Sequence, residues 1–314
     1  MTAITEDDRA PHEPFEAGPG IHVVPLRTPT LPPATHTNCA VVGHEQVVLV
    51  DPASPYPEEQ ERLAQWLADA GRTVVAVWLT HHHMDHVGGA NDARTRWDVP
   101  VCAHPATKAR LDGAVAIDVE LFEGDRPDAV HDIELGVDLV ALHTPGHARG
   151  HLAFREEASR LVIAGDLVAG QGTIVIDPPE GDMADYLATL GRLIAEGCGA
   201  IVPAHGGLIE DGDAKLLEYI AHRKMREEQL VEVLGARESR SGRPLDLVPA
   251  IYPDVPAMFH PLASRQVLAH LLKLEAEGTV DRPDGSTGVP GAPVYMSADM
   301  AGWTATLPVF RLRG

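Results

Sequence analysis

Four imidazoles and a carboxylate crowd into six residues, and that cluster constrains the chain more than anything else in it. Residues 81–86 read HHHMDH. They directly follow TVVAVWL, Thr73 to Leu79, a continuous β-branched and apolar run that suits a strand buried on both faces. The loop leaving the C-terminal end of such a strand is where α/β sheets place their sites. Read as H-x-H-x-D-H, the loop points His81 and His83 the same way, with Asp85 and His86 within reach. Imidazole and carboxylate together suit Zn²⁺. Gly88-Gly89 then lets the backbone turn tightly into the next helix. His82 would point away from its two neighbours. The bland alternative is a solvated histidine-rich loop.

Three further pieces weigh against that alternative. His147 lies in TPGHARGH after the run VDLVALH, Asp166 ends VIAGD, and His205 lies in IVPAHGG. Each is a metal-type ligand at a strand end beside Gly or Pro. The whole chain holds 17 histidines, but His104, His131, His222, His260 and His270 have no partners in sequence. His143 ends an apolar run and reads as a satisfied core residue.

The pattern of elements supports a two-sheet α/β protein. QVVLV (46–50), the helical stretch 57–71 and the strand from Thr73 make a parallel βαβ unit. Short strands recur at 101–103, 132–135, 137–143, 151–154 and 160–164, followed by a helical segment at 182–197 and a strand at 200–203. The pattern is β-rich, then helix, twice over. Beyond about Asp213 the chain becomes helical over 214–234 and 261–278, then ends in a short strand and a Gly-rich turn. In the later helix Val267, Leu271 and Leu274 fall on one face, with Gly278 as a stop. This tail resembles a winged-helix module. The expected organisation is a flexible leader at 1–20, a catalytic domain at 21–212, and a helical linker with a winged-helix-like domain at 213–314.

Composition narrows the function classes. The formal charge is −21, from 25 Lys and Arg against 46 Asp and Glu. Residues 1–219 carry all of that excess, and residues 220–314 hold 11 charges of each sign. An acidic body repels phosphate backbones, and aromatics at 4% leave few stacking platforms for single strands. The three cysteines form no C-x-x-C and read as buried thiols. No apolar run approaches membrane-spanning length. The acidic, Pro- and Gly-rich N-terminus is not a signal peptide, so a cytoplasmic protein is expected.

With these motifs in order, the sequence resembles the metallo-β-lactamase superfamily over about residues 20–210. The resemblance implies a four-layer αβ/βα sandwich in the α/β class, carrying a small C-terminal winged-helix-like domain. It also implies a dinuclear centre. His81, His83 and His147 would bind the first metal, and Asp85, His86 and His205 the second. Asp166 would bridge the two. True β-lactamases of the superfamily lack that Asp, so Asp166 argues against antibiotic hydrolysis. Asp51, ending QVVLV, matches the superfamily's early Asp. A carboxylate there would orient a ligand imidazole, or simply start an Asp-Pro turn. His151, four residues after His147, would support the site or merely open a strand.

Thr37-Asn38, GQGTIVIDPPEGDMADYL and PAHGGLIEDGDAKLLEYIAHRKMREEQL narrow the resemblance to the β-lactamase-like protein 2 family, out to about residue 283. Members of that family have been described as endoribonucleases preferring single strands. Close relatives include acyl-carrier thioesterases and lactonases. Two Zn²⁺ ions are implied, and the same ligands accept Mn²⁺ or Fe²⁺. A bridging hydroxide would then attack the substrate, with Asp85 or a metal-bound water protonating the leaving group.

Three readings compete. The first is a hydrolase of ester, thioester or lactone bonds in small acyl substrates, motivated by the acidic body. The second is an endoribonuclease, with Arg223 and Arg226 on one helix as a phosphate clamp toward RNA. The third is a non-enzymatic binding protein with a structural metal. The winged-helix tail would pack over the cleft or form a dimer contact.

Overall fold

The computed structural model describes residues 13–131, 133–289 and 306–313. Its first sheet has seven strands in chain order: β1 (Phe15–Gly18), β2 (Ile21–Arg27), β3 (His36–Val42), β4 (Gln46–Val50), β5 (Thr73–Trp78), β6 (Val101–Ala103) and β7 (Val119–Glu120). Pairing is antiparallel as far as β4 and parallel beyond it. The switch coincides with the first crossover helix, α1 (Pro57–Asp69), as a parallel connection requires. Helices α2 (Met84–Val87) and α3 (Ala90–Trp97) cross from β5 to β6. Two short helices, α4 (Pro105–Leu111) and α5 (Pro127–His131), flank β7.

The second sheet has the order β11-β10-β9-β8, built from β8 (Leu139–His143), β9 (Leu152–Glu156), β10 (Val162–Ile163) and β11 (Ile201–Val202). Helix α6 (Met183–Glu196) crosses from β10 to its parallel neighbour β11. Asp182 caps α6, its carboxylate accepting from the Ala184 and Asp185 N–H groups.

Side-chain alternation divides the strands between two cores. Val47 and Leu49 of β4 face outward to Leu63 and Leu67 of α1 and Ala90 and Ala93 of α3. Val48 and Val50 face inward and meet Ala141, Leu152 and Phe154 of the second sheet. Trp78 and Phe154 pack ring to ring in that middle layer, 5.3 Å between centroids. Val140, Leu142 and Ala153 face the other way, onto Met183, Tyr186, Leu190 and Leu193 of α6. The layers therefore run helix, sheet, sheet, helix, which is the expected sandwich.

The C-terminal part comprises α7 (Gly212–Ala236), β12 (Ser241–Gly242), α8 (Pro244–Ile251), α9 (His260–Ala276), β13 (Val280–Asp281) and β14 (Phe310–Leu312), with the three strands forming their own sheet. Leu247, Val248, Val267, Leu271, Leu274 and Phe310 make its core. Helix α7 belongs to both halves. Leu216 and Tyr219 sit in the second-sheet core, while Leu230 and Leu234 sit in the C-terminal one. A boundary at 212/213 thus falls at the start of a shared helix.

Two expectations need correction. The leader at 1–20 overlaps a strand: Phe15–Gly18 pairs with β2, because Phe15 and Ala17 pack on the inter-sheet core. Residues 1–12 lie outside the described residues. A strand at 132–135 is not observed over 133–135, and Asp132 lies outside the described residues. Among the described residues, no helix is long and apolar enough to cross a membrane.

Candidate metal centre

Strand β5 ends beneath the site, and Thr80 is the hinge between that strand and the histidine loop. Its backbone N–H donates to Asp51 Oδ1 at 2.8 Å and its hydroxyl to Asp51 Oδ2 at 2.6 Å. The same Oδ2 accepts from His86 Nδ1 at 2.7 Å. Thr80 Oγ1 in turn accepts from His81 Nδ1 at 3.0 Å. Asp51, at the end of β4, therefore fixes two imidazoles, one directly and one through a hydroxyl. Gly88 and Gly89 serve space rather than unusual torsions. A Cβ on Gly89 would run into Gln60 and the Pro52 carbonyl.

His147 and His205 are held by backbone carbonyls instead. His147 Nδ1 donates to the Val175 carbonyl at 2.7 Å, and His205 Nδ1 to the His36 carbonyl at 2.9 Å. Each proton placed on one ring nitrogen leaves a lone pair on the other. Those lone pairs converge. His81 Nε2, His83 Nδ1 and His147 Nε2 lie 2.9, 2.9 and 3.2 Å apart. Nitrogens around a tetrahedral zinc are about 3.3 Å apart, so the spacing fits an ion at their centre.

Asp166 stands between two groups. Its Oδ2 is 3.3 Å from His147 Nε2 and 4.0 Å from His81 Nε2. Its Oδ1 is 3.4 Å from His86 Nε2 and 3.6 Å from His205 Nε2. His205 Nε2 also lies 3.7 Å from Asp85 Oδ2. The donors fall into two sets that could each hold an ion: His81, His83, His147 and Asp166, and then Asp85, His86 and His205. His86 Nε2 and Asp166 Oδ1 are buried and make no hydrogen bond. Buried polar atoms are normally satisfied, and a cation between these two would satisfy both.

The charges agree with that fit. Burial and the neighbouring imidazoles His86, His83 and His147 push His81 well below the usual histidine range. Burial, with His147 and His82, does the same to His83. Burial also acts on His86, but Asp166 and Asp51 outweigh it and hold that ring well above its ordinary value. For Asp166, burial is outweighed by His86, His147 and His205, and the carboxyl stays well below its usual range. A cation at His86 Nε2 would take the place of that proton.

All seven expected ligands are therefore brought together. Asp51 and His151 stand directly behind them. His151 Nε2 accepts the Asp166 N–H at 3.1 Å, and its Nδ1 donates to Thr144 Oγ1 at 2.8 Å. Sequence reasoning missed Thr80, Thr144 and the two carbonyl acceptors. Arg223 and Arg226 do not join the cluster. Arg223 is 1% exposed and donates to the Ile174 carbonyl at 2.7 Å, and Arg226 donates to the Ile251 carbonyl at 2.5 Å. Both guanidiniums turn inward, so neither forms the expected phosphate clamp. His82 is half-buried, its ring against that of His83 at 4.6 Å. His143 is no core residue. It stacks on His104 at 4.4 Å, so His104 has a partner too. The side chain of His131 lies outside the described residues.

Residues 32–205 match the family described as Metallo-beta-lactamase superfamily, more than half of the chain. The chain belongs to the metallo-beta-lactamase superfamily. Residues 244–288 match the Beta-lactamase associated winged helix domain. A Beta-lactamase-like protein 2 homolog of Drosophila melanogaster is 28% identical, over 78% of this chain and 83% of its own length. An Atrochrysone carboxyl ACP thioesterase of Aspergillus chevalieri is 32% identical, over 66% of this chain and 63% of its own. The crystal structure of a metallo-beta-lactamase family protein from Thermus thermophilus superposes with a TM-score of 0.72 at 24% identity, covering 94% of this chain and 99% of that one. As a member of the superfamily the chain is a metal-dependent hydrolase, with the winged-helix domain as its second part.

Proposed function

We propose that this superfamily member is a dinuclear, zinc-dependent hydrolase of ester, thioester or lactone bonds in small acyl substrates. The observation that carries the reading is Asp166, whose two oxygens face two separate sets of donors. His81, His83 and His147 would hold one ion, Asp85, His86 and His205 the other, with Asp166 shared between them. When bound, such a pair supplies Lewis acidity to the scissile carbonyl and acidifies the attacking water. The chain's own residues do the rest. Asp51 and the carbonyls of Val175 and His36 keep the imidazole lone pairs aimed inward. Asp85, with 18% of its side chain exposed, sits at the rim and would carry the proton to the leaving group.

Acyl substrates are favoured over phosphodiesters on two grounds. The net charge of −21 opposes a polyanion. The arginines offered as a phosphate clamp are engaged inside the protein. The Aspergillus chevalieri relative is named as a thioesterase, which supports the same chemistry.

The test is a panel of acyl thioesters, esters, lactones and single-stranded RNA, run on zinc-loaded protein and on Asp166→Asn. Turnover of one acyl class, lost in the variant, is expected. RNA cleavage with inert acyl substrates would establish the endoribonuclease instead. No turnover of any substrate would favour a binding protein with a structural metal.

A further inference from the structure

The segment after Asp166 runs from the site floor back toward the C-terminal helices, and over 173–177 it forms no strand or helix of its own. A backbone without a ladder needs partners from elsewhere. Here they come in a consistent pattern. The Val175 carbonyl faces the site and accepts from His147 Nδ1 at 2.7 Å. Its neighbours on either side are held from α7 and α9. The Ile174 carbonyl accepts from Arg223 Nη2 at 2.7 Å. The Ile176 N–H donates to Gln266 Oε1 at 2.9 Å. Arg265 completes the set, with Nε on the Asp177 carboxylate and Nη2 on the Pro178 carbonyl.

All three side chains are buried, Arg223 at 1%, Arg265 at 0% and Gln266 at 7% exposure. Burying a guanidinium is costly, and an aliphatic side chain would fill the space. What Arg223 adds is direction at a carbonyl. Its guanidinium also packs over Tyr186 and Tyr219, 5.4 and 6.0 Å from their ring centres. Those tyrosines fix the chain just past Asp166: Tyr186 Oη donates to the Leu167 carbonyl at 2.6 Å, and Tyr219 Oη accepts the Ala169 N–H at 2.9 Å.

We propose that α7 and α9 set the orientation of His147 through the loop 174–178, with Arg223, Arg265 and Gln266 as positioning residues. The winged-helix part then shapes the metal centre without contributing a ligand to it. This rests on reading the cluster as a metal centre, but its first readout needs no metal. In metal-free protein with ¹⁵N-labelled histidine, long-range NMR correlations at pH 8 report which His147 nitrogen carries the proton. Wild type should show the Nδ1–H form alone. Arg223→Met and Gln266→Met should show both forms, and zinc affinity measured by chelator competition should fall about tenfold, the low end for groups standing behind a ligand. Arg223→Lys, which keeps a donor, should restore most of both. Leu274→Ala, two turns along α9 in the C-terminal core, should alter neither. A single, unchanged His147 tautomer in both methionine variants overturns the proposal, as does an equal loosening in Leu274→Ala. If His147 responds as expected while wild type takes up no zinc, the metal-centre reading fails and the positioning role stands.

Discussion

Asp51 adopts φ 53°, a left-handed conformation that residues other than glycine rarely take. The strain is tolerated at a carboxylate that accepts three hydrogen bonds and aims two imidazoles. Asp51→Ala should therefore weaken zinc binding by about 10–100-fold in chelator competition; an unchanged affinity would reduce Asp51 to a turn former. Gly165 is the second constrained position. At φ +49°, a Cβ there would lie 2.7 Å from His151 Nε2 and 2.9 Å from Thr80 Cβ. Gly165→Ala should cost about 1–3 kcal/mol in urea unfolding, and a cost within error of zero would show that the turn relaxes freely. The thiols behave as the sequence suggests. Burial raises Cys39, and pushes Cys102 and Cys198 up to about 12. None should react with a disulfide reagent at pH 8 until the protein is unfolded, and rapid labelling of the native chain would contradict that. At this scale the clustered donors were readable because imidazoles and carboxylates at strand ends form an unusual pattern. The Val175 and His36 carbonyls were not, because a backbone acceptor leaves no mark in the sequence.

Helix α7 was legible as a long helix-forming stretch and α9 from its apolar period, but the direction of their polar residues was not. Arg223, Lys224 and Arg226 look like one basic patch in sequence. At 100° per residue Lys224 cannot share a face with Arg223 and Arg226: Arg223 is buried with Tyr219, Glu227 and Leu230, while Lys224 is exposed. Glu227 pins the two helices, meeting His270 Nδ1 at 3.2 Å and Lys273 Nζ at 2.9 Å. Burial alone would raise Glu227, but the His270 and Lys273 hydrogen bonds leave it lowered. Burial lowers His270, which outweighs the bond to Glu227. Both shifts have the same consequence on acidification. A neutral buried His270 loses stability as the unfolded ring takes a proton below pH about 6.5, and Glu227 loses its share as pH falls below about 4.3 toward its depressed folded value. Thermal unfolding should show Tm falling through both windows. Glu227→Gln should remove the lower one and cost about 1–3 kcal/mol at pH 7; an unaltered acid limb would contradict this role.

At the scale of the whole molecule, the sandwich was readable because strands buried on both faces give continuous apolar runs, and crossover helices show their own period. The start of the first sheet was misread, since acidic and glycine neighbours around Phe15–Gly18 mask a strand whose partner is close in sequence. What the motifs could not show is how the site spans the layers. His81, His83, Asp85 and His86 leave the first sheet, while His147, Asp166 and His205 leave the second. Ions held between them would link the two sheets. Removing metal should then lower Tm, since free metal at 100 times its Kd contributes about 2.7 kcal/mol; calorimetry with and without chelator reads this directly. The most direct test of the account is elemental analysis of the purified wild-type chain after dialysis against trace zinc. Two equivalents of transition metal per chain are predicted, falling in Asp166→Ala. One equivalent or none in the folded wild type would contradict a carboxylate shared between two ions.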